Sequence, residues 1–203
     1  MVLLALALAA PTPGLPAWTY TYELPDRPTA LVDGVLRPIS GVTGTPPEAP
    51  PPGTPLPALR LADLVPGVAK ESGFEIGGRL DRAFVARATR PNGTSMFQIT
   101  EAGATIGYSL NESNRIRAVF YSTPLTEAES EARFAAIRTR MDARLGAPSY
   151  GGRTDDVSLT LVWQRADRSY ASLGLINEDG KLGMAVILTD REIWNVPVPK
   201  DGR

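Results

Sequence analysis

The alternation of apolar and polar side chains predicts a series of β-strands over the last two thirds of the chain. Between Val157 and Gln164 every second residue is apolar, and the same alternation occurs in 104–110 and 115–121. One-sided alternation with short connections is typical of an antiparallel sheet that has one covered and one wet face. The stretch 182–189 is apolar on both faces, which places it centrally. The predicted strands are 82–89, 94–100, 104–110, 115–121, 157–164, 169–176 and 182–189.

One long helix is predicted at residues 127–145, between the two groups of strands. Thr126 and Glu129 have the spacing of a capping box, and Gly146 is a typical residue at the end of a helix. Its apolar positions fall on one narrow face and are Phe134, Ile137, Met141 and Leu145. A shorter helix is predicted near Leu61, where Pro66 limits its length.

Together these elements predict an α+β fold. We expect an antiparallel meander of about seven strands, with one long and one short helix on one face, as a two-layer sandwich. A tandem repeat is an alternative description, because 77–81 resembles 151–155 and 99–103 resembles 176–180. In the first of these pairs, Asp81 and Asp155 are predicted to cap backbone amides and not to form a catalytic pair.

The first residues read as a signal peptide, which we assign to residues 1–17. The unbroken apolar run 2–10 would span about 14 Å as a helix, too short for a transmembrane segment. Small residues and prolines follow, so cleavage after Ala9, Ala10 or Ala17 fits the pattern. No Lys or Arg precedes the run, which is atypical of a signal peptide. The alternative is an apolar N-terminal element of a cytoplasmic protein.

An arm with a Pro-rich linker is predicted for residues 18–57, before an α+β domain at 58–194 and a tail at 195–203. The alternating aromatic residues Trp18, Tyr20 and Tyr22 predict a short strand, and Asp33-Gly34 predicts a tight hairpin. Fourteen of the 19 prolines precede residue 67, and the stretch 45–57 is typical of a semi-rigid spacer.

Composition restricts the chemistry. The chain has no His and no Cys, so the commonest general base, thiolate nucleophiles and the usual transition-metal ligands are all missing. The net charge of −1 provides no basic surface for nucleic acid. We therefore predict no catalytic residue set, no metal site, no cofactor and no nucleic-acid partner.

Two sets of polar residues are candidates for binding. Gln98, Arg117 and Gln164 lie on the predicted wet face, where they could converge with Ser109 and Thr160 on a polar ligand.

The second set is a stripe on one flank of the long helix, formed by Arg133, Arg140 and Arg144. We interpret this stripe as a solvated face, with contact to an acidic partner as the alternative. Trp163 ends an apolar strand face and is predicted to be a core residue.

These features favour a soluble exported protein, periplasmic or secreted, with a non-catalytic binding or envelope-associated role. Its partner would be a protein or an envelope component, and no integral membrane segment would remain after processing. The alternative is a hydrolase that uses an Asp/Glu carboxylate pair, a mechanism that needs neither His nor Cys.

Overall fold

The computed structural model describes residues 14–24, 29–32, 35–38, 60–68, 74–91, 96–154, 158–164 and 169–190. The predictions for 1–13, for the linker 45–57, for Asp155 and for the tail 195–203 lie outside these residues. The helices are α1 (Trp18–Thr21), α2 (Leu61–Leu64), α3 (Arg82–Arg87) and α4 (Glu127–Leu145). The strands are β1 (Thr29–Val32), β2 (Val35–Pro38), β3 (Met96–Glu101), β4 (Ala104–Leu110), β5 (Ile116–Pro124), β6 (Tyr150–Thr154), β7 (Ser158–Gln164), β8 (Tyr170–Glu178) and β9 (Lys181–Thr189).

Seven of the strands form one antiparallel sheet in the order β3-β4-β5-β9-β8-β7-β6, which confirms the predicted α+β fold. The sheet consists of two meanders, β3-β4-β5 and β6-β7-β8-β9, joined where β5 pairs with β9. Helix α4 connects the two meanders and packs against β8 and β9. The doubly apolar strand β9 is central, as predicted.

Two predictions about the strands of the main sheet were wrong. Residues 82–89 form helix α3 and not a strand, because Asp81 caps its first turn by accepting a hydrogen bond from the Phe84 N–H (2.6 Å). The capping role predicted for Asp81 is thereby confirmed. Strand β6 was missed, because its Gly151-Gly152 pair carries no apolar alternation. A Cβ at Gly151 would lie 2.7 Å from Cδ2 of Leu161 and 3.0 Å from the carbonyl oxygen of Thr160, so a larger residue would require these neighbours to shift.

The tandem repeat is not confirmed. The turns Ala102-Gly103 and Asp179-Gly180 do correspond, because both residues of each turn have positive φ. Such pairs of left-handed residues join β3 to β4 and β8 to β9. The agreement ends upstream, where residues 77–81 precede a helix and 151–154 form strand β6.

Helix α4 has the predicted bounds, and three of its four predicted apolar positions are buried, while Leu145 is partly buried. Phe134, Ile137 and Met141 are at most 2% exposed. At the N-terminus the carboxylate of Glu129 accepts from the Thr126 N–H (3.5 Å), and Gly146 ends the helix with φ of 80°. Trp163 is a core residue, as predicted, and its Nε1 donates to the carbonyl of Gly146 (2.9 Å).

The aromatic residues near the N-terminus form helix α1 and not the predicted strand. Its backbone folds back on itself, since the Thr19 N–H donates to the carbonyl of Pro16 (2.9 Å). Tyr22 and Trp18 pack on Phe134 of α4, with ring centroids 5.4 Å apart in both cases. The sequence pattern failed here because a single turn driven by tertiary packing has no periodicity of its own.

The two strands of the hairpin predicted around Asp33-Gly34 are confirmed, since β1 and β2 pair antiparallel. Both strands lie beside the edge strand β6. Across the described ranges, every helix is too short or too polar to cross a bilayer.

Candidate functional site

A cleft of about 330 Å³ opens on the helix-covered side of the sheet, between α3, the turn after α2, and α4. Its floor is a cross-strand row in which Ile99 pairs with Ile106 and Ile106 pairs with Tyr121. These side chains are together because they face the same side of three neighbouring strands. Phe84 and Val68 contribute further apolar wall. The floor of the cleft is therefore apolar, as in many small-molecule sites, while Thr123, Glu101 and Arg133 contribute polar wall.

A second chamber of about 170 Å³ adjoins the first and extends along α4 towards β9. Pro66, Tyr121 and Arg133 border both chambers. The remaining wall of the second chamber is apolar and includes Ile137 and Met184. Arg133 is thus the charged residue that the two chambers share, and its exposed guanidinium lies at their boundary with solvent.

One carboxylate, Glu101, also lines the larger chamber. Its Oε1 lies 3.8 Å from Nη1 of Arg87, and both side chains are about half exposed. Such a solvent-exposed pair contributes little stability, but it reduces the negative field that Glu101 projects into the cleft. Arg133 and Glu101 are thus the two charged side chains that line the larger chamber.

Several other carboxylates have structural partners. Asp63 pairs with Arg144 (3.1 Å) and Glu75 pairs with Arg60. Asp142 pairs with Arg138 (3.2 Å) in an i, i+4 contact along α4. Among the residues that the structure describes, no group of three or more acidic side chains is placed to hold a metal ion.

The three residues predicted to bind a ligand are spread across the sheet. Gln98 lies on the edge strand β3 and Gln164 on β7, and four strands separate them. At about 4.8 Å per strand, their backbones are about 24 Å apart. The topology therefore does not bring them together. A binding role for any one of the three stays a prediction.

Arg117 occupies an irregular position in β5. Ser109 pairs with Ala118 and Leu110 pairs with Ile116, so Arg117 is the extra residue of a bulge. Its Nε is buried and has no hydrogen-bond partner among the described residues, and its carbonyl accepts from the Asp190 N–H (2.8 Å).

Two tyrosines, one buried and one partly buried, have perturbed acidity. Tyr108 is fully buried in an aromatic cluster with Phe74 and Phe84, and burial raises the pKa of its phenol far above the ordinary 10.0. Burial also raises the pKa of Tyr22, although its contact with Arg138 works in the opposite direction. Both phenols are neutral at ordinary pH and have no role in the cleft.

The sequence pattern identifies Arg133 as part of an arginine stripe but gives no sign of the cleft beside it. The sequence pattern predicts ordinary core positions for Ile99, Ile106 and Tyr121. Alternation shows on which face of a strand a residue lies, but it does not show how fully other elements cover that face. The shortness of α2, limited by Pro66, was the available signal that part of the sheet lies under incomplete helical cover.

Comparison with known proteins gives little similarity. No family model matches the chain, and no curated protein matches it. Among solved structures, a DUF4309 family protein (YjgB) from Bacillus subtilis is similar over 50% of this chain and 68% of its own, with 11% identity and a TM-score of 0.31. This similarity supports no assignment of family or function.

Proposed function

We propose that this protein is exported and acts without catalysis, by binding a small apolar molecule that carries one anionic group. The observation behind the binding role is the cleft between α3 and α4. Its larger chamber, of about 330 Å³, has the size of small-molecule sites. A ligand of this kind, derived from lipid, would be an envelope component. Export is supported by the apolar run at residues 2–10.

The ligand class follows from the chemistry of the walls. Aliphatic and aromatic side chains on the floor favour an apolar body, because its transfer from water contributes about 25 cal/mol per Å². The guanidinium of Arg133, at the boundary of both chambers, favours a carboxylate or a similar anion, which it can contact through two N–H donors. A chain-like acid could then extend into either chamber while its charged group stays near solvent.

The experiment is calorimetric titration of the full chain with decanoate, and with decanol as the uncharged analogue. We expect decanoate to bind, and Arg133→Gln to weaken its binding about tenfold, which corresponds to about 1.4 kcal/mol. Decanol binding should be the same in both proteins. The matched control is Arg140→Gln, which changes an exposed arginine on the same helix, two turns from Arg133 and away from the cleft.

A second variant tests the location of the site. Ala104 lines the larger chamber on β4, and Ala104→Leu would fill part of its volume. We expect this change to abolish the binding of both probes while the circular dichroism spectrum remains that of the parent protein. If neither probe binds the parent protein, or if Arg140→Gln weakens decanoate binding as much as Arg133→Gln does, the proposed ligand class is wrong.

A further inference from the structure

We infer that the protein forms a symmetric homodimer through the open face of its sheet. The open face is the side of β3, β4, β5, β9 and β8 that points away from helix α4. The inference goes beyond the proposed function, because the cleft lies on the opposite, helix-covered side of the sheet. It rests on the charge distribution, the exposed apolar side chains, the relief and the area of the open face.

The central area of the open face is uncharged. Its positions are every second residue, counted from the first, of the stretches 96–100, 105–109, 118–122, 170–176 and 183–189. Within the described part of these strands, none of these positions is Asp, Glu, Lys or Arg, although 21% of the chain is charged. The charged residues of the five strands lie at or next to strand ends and are Glu101, Arg117, Glu178 and Lys181. An uncharged centre inside a charged rim is typical of a protein interface and not of a surface that stays in water.

Apolar side chains project from the open face. Ile176 and Ile187 are 41% and 40% exposed. Phe120 pairs with Ile187 across β5 and β9, and Gly107 on β4 leaves the space that the ring of Phe120 fills. Phe120 and Ile187 thus form a ridge at the centre of the sheet. Neighbouring exposed apolar side chains of this kind mark interaction sites on proteins.

A depression beside this ridge makes the open face complementary to a second copy of itself. The depression has a volume of about 430 Å³ and lies towards the turn between β8 and β9. Small residues form its floor, where Ser122 pairs with Thr105 on one side and with Ala185 on the other. A two-fold axis in the plane between two such faces, perpendicular to the strands and between ridge and depression, places the ridge of each copy over the depression of the other. One patch then meets the same patch, as a symmetric dimer requires.

The area of the open face is sufficient for a stable dimer. Five strands about 4.8 Å apart, each contributing about seven residues at about 3.4 Å, present a face of about 600 Å² per copy. Specific interfaces begin at about 1,000 Å² in total, or about 500 Å² per partner. Two sheets that pack face to face lie about 10 Å apart, a distance that the small side chains around the ridge allow.

The test is sedimentation velocity of the full chain over a range of concentrations. We expect the parent protein to form a dimer as its concentration rises. Ile187→Lys should raise the dissociation constant of the dimer about a hundredfold, because an unpaired charge enters the interface twice and costs about tenfold each time. The matched control is Val85→Lys on α3, where the side chain is also 40% exposed but lies on the helix-covered side. This variant should dimerise like the parent, and both variants should keep its circular dichroism spectrum.

Cross-linking gives a second measurement that does not depend on introducing a charge. The chain has no Cys, so a single introduced cysteine provides its one thiol. Ser122→Cys, on the floor of the depression, should yield a covalent dimer with a short bis-maleimide. The control Ala135→Cys, at an exposed position of α4, should not.

A parent protein that stays monomeric at every concentration would overturn the inference, and so would a Val85→Lys variant that loses the dimer as Ile187→Lys does. If the parent is monomeric and the Ser122→Cys thiol resists a monofunctional maleimide, another part of the same chain covers the open face. If that thiol reacts freely in the monomer, the face is a solvated surface. The binding experiments with decanoate are independent of these results, because they concern the other side of the sheet.

Discussion

At the scale of single residues, buried polar groups are the positions where this fold departs from an apolar core. Most of them have partners, such as the Trp18 indole, which donates to Ser130 Oγ (3.0 Å). The hydroxyl of Tyr108 is different, because it is buried and no described residue forms a hydrogen bond with it. A buried unpaired hydroxyl costs about 1–3 kcal/mol relative to its hydrated state. The ring of Tyr108, in contrast, stabilises the core through its edge contacts with Phe74 and Phe84.

The variant Tyr108→Phe should therefore keep or improve stability. At pH 7 we expect the free energy of unfolding to be unchanged or to rise by about 1 kcal/mol, because the ring stays and the unpaired hydroxyl is removed. Urea denaturation followed by circular dichroism measures this change. A loss of more than about 1 kcal/mol would show that the hydroxyl has a partner in the folded protein.

The same variant should alter the response to alkaline pH. Burial holds the pKa of Tyr108 above its unfolded value of 10.0, so the unfolded chain releases this proton first and the folded state loses stability as the pH rises beyond 10. Tyr108→Phe should lose less stability than the parent between pH 9 and pH 11. Tyr20→Phe, at a side chain that is 49% exposed, is the control and should behave like the parent. Equal losses in all three proteins would contradict this account.

At the scale of elements, the sequence pattern predicted the helices and strands whose apolar periodicity extends over several repeats. Helix α4 repeats its apolar face over five turns, and strand β9 lies at the centre because it is apolar on both sides. Helices α1 and α3 have four and six residues, so they depend on caps and tertiary contacts rather than on pattern. Strand β6 contains Gly151-Gly152, which erases the alternation. The cleft could not be predicted, because it depends on the part of the sheet that α3 and α4 leave uncovered between them.

The two corresponding hairpin turns allow a test of backbone strain. In the turn between β3 and β4, Ala102 has φ of 49°, a left-handed conformation that costs an alanine about 1 kcal/mol. Ala102→Asn should stabilise the protein by about that amount, because Asn tolerates this conformation. The matched control is Asp179→Asn at the other turn, where φ is 52° and the residue already tolerates it. Thermal unfolding should show a higher midpoint for the first variant and an unchanged one for the second.

At the scale of the whole molecule, the N-terminal segment 14–24 packs against residues that are far from it in the sequence. Arg153 holds this segment at the sheet edge, Asn177 holds Gly14, and Tyr22 contacts both Phe134 and Arg138 of α4. These contacts link β6, β8 and α4 through residues that no local pattern identifies. We therefore expect the segment to unfold together with the domain rather than separately from it.

The variant Leu15→Ala tests this cooperativity. It removes a buried side chain from the core, so the free energy of unfolding should fall by about 2–3 kcal/mol. Because the segment is coupled to the sheet, urea denaturation should remain a single transition whose midpoint falls when followed by far-ultraviolet circular dichroism. The control is Val85→Ala on α3, where the side chain is 40% exposed and the loss should be below about 1 kcal/mol. If Leu15→Ala leaves the midpoint unchanged, the segment frays independently.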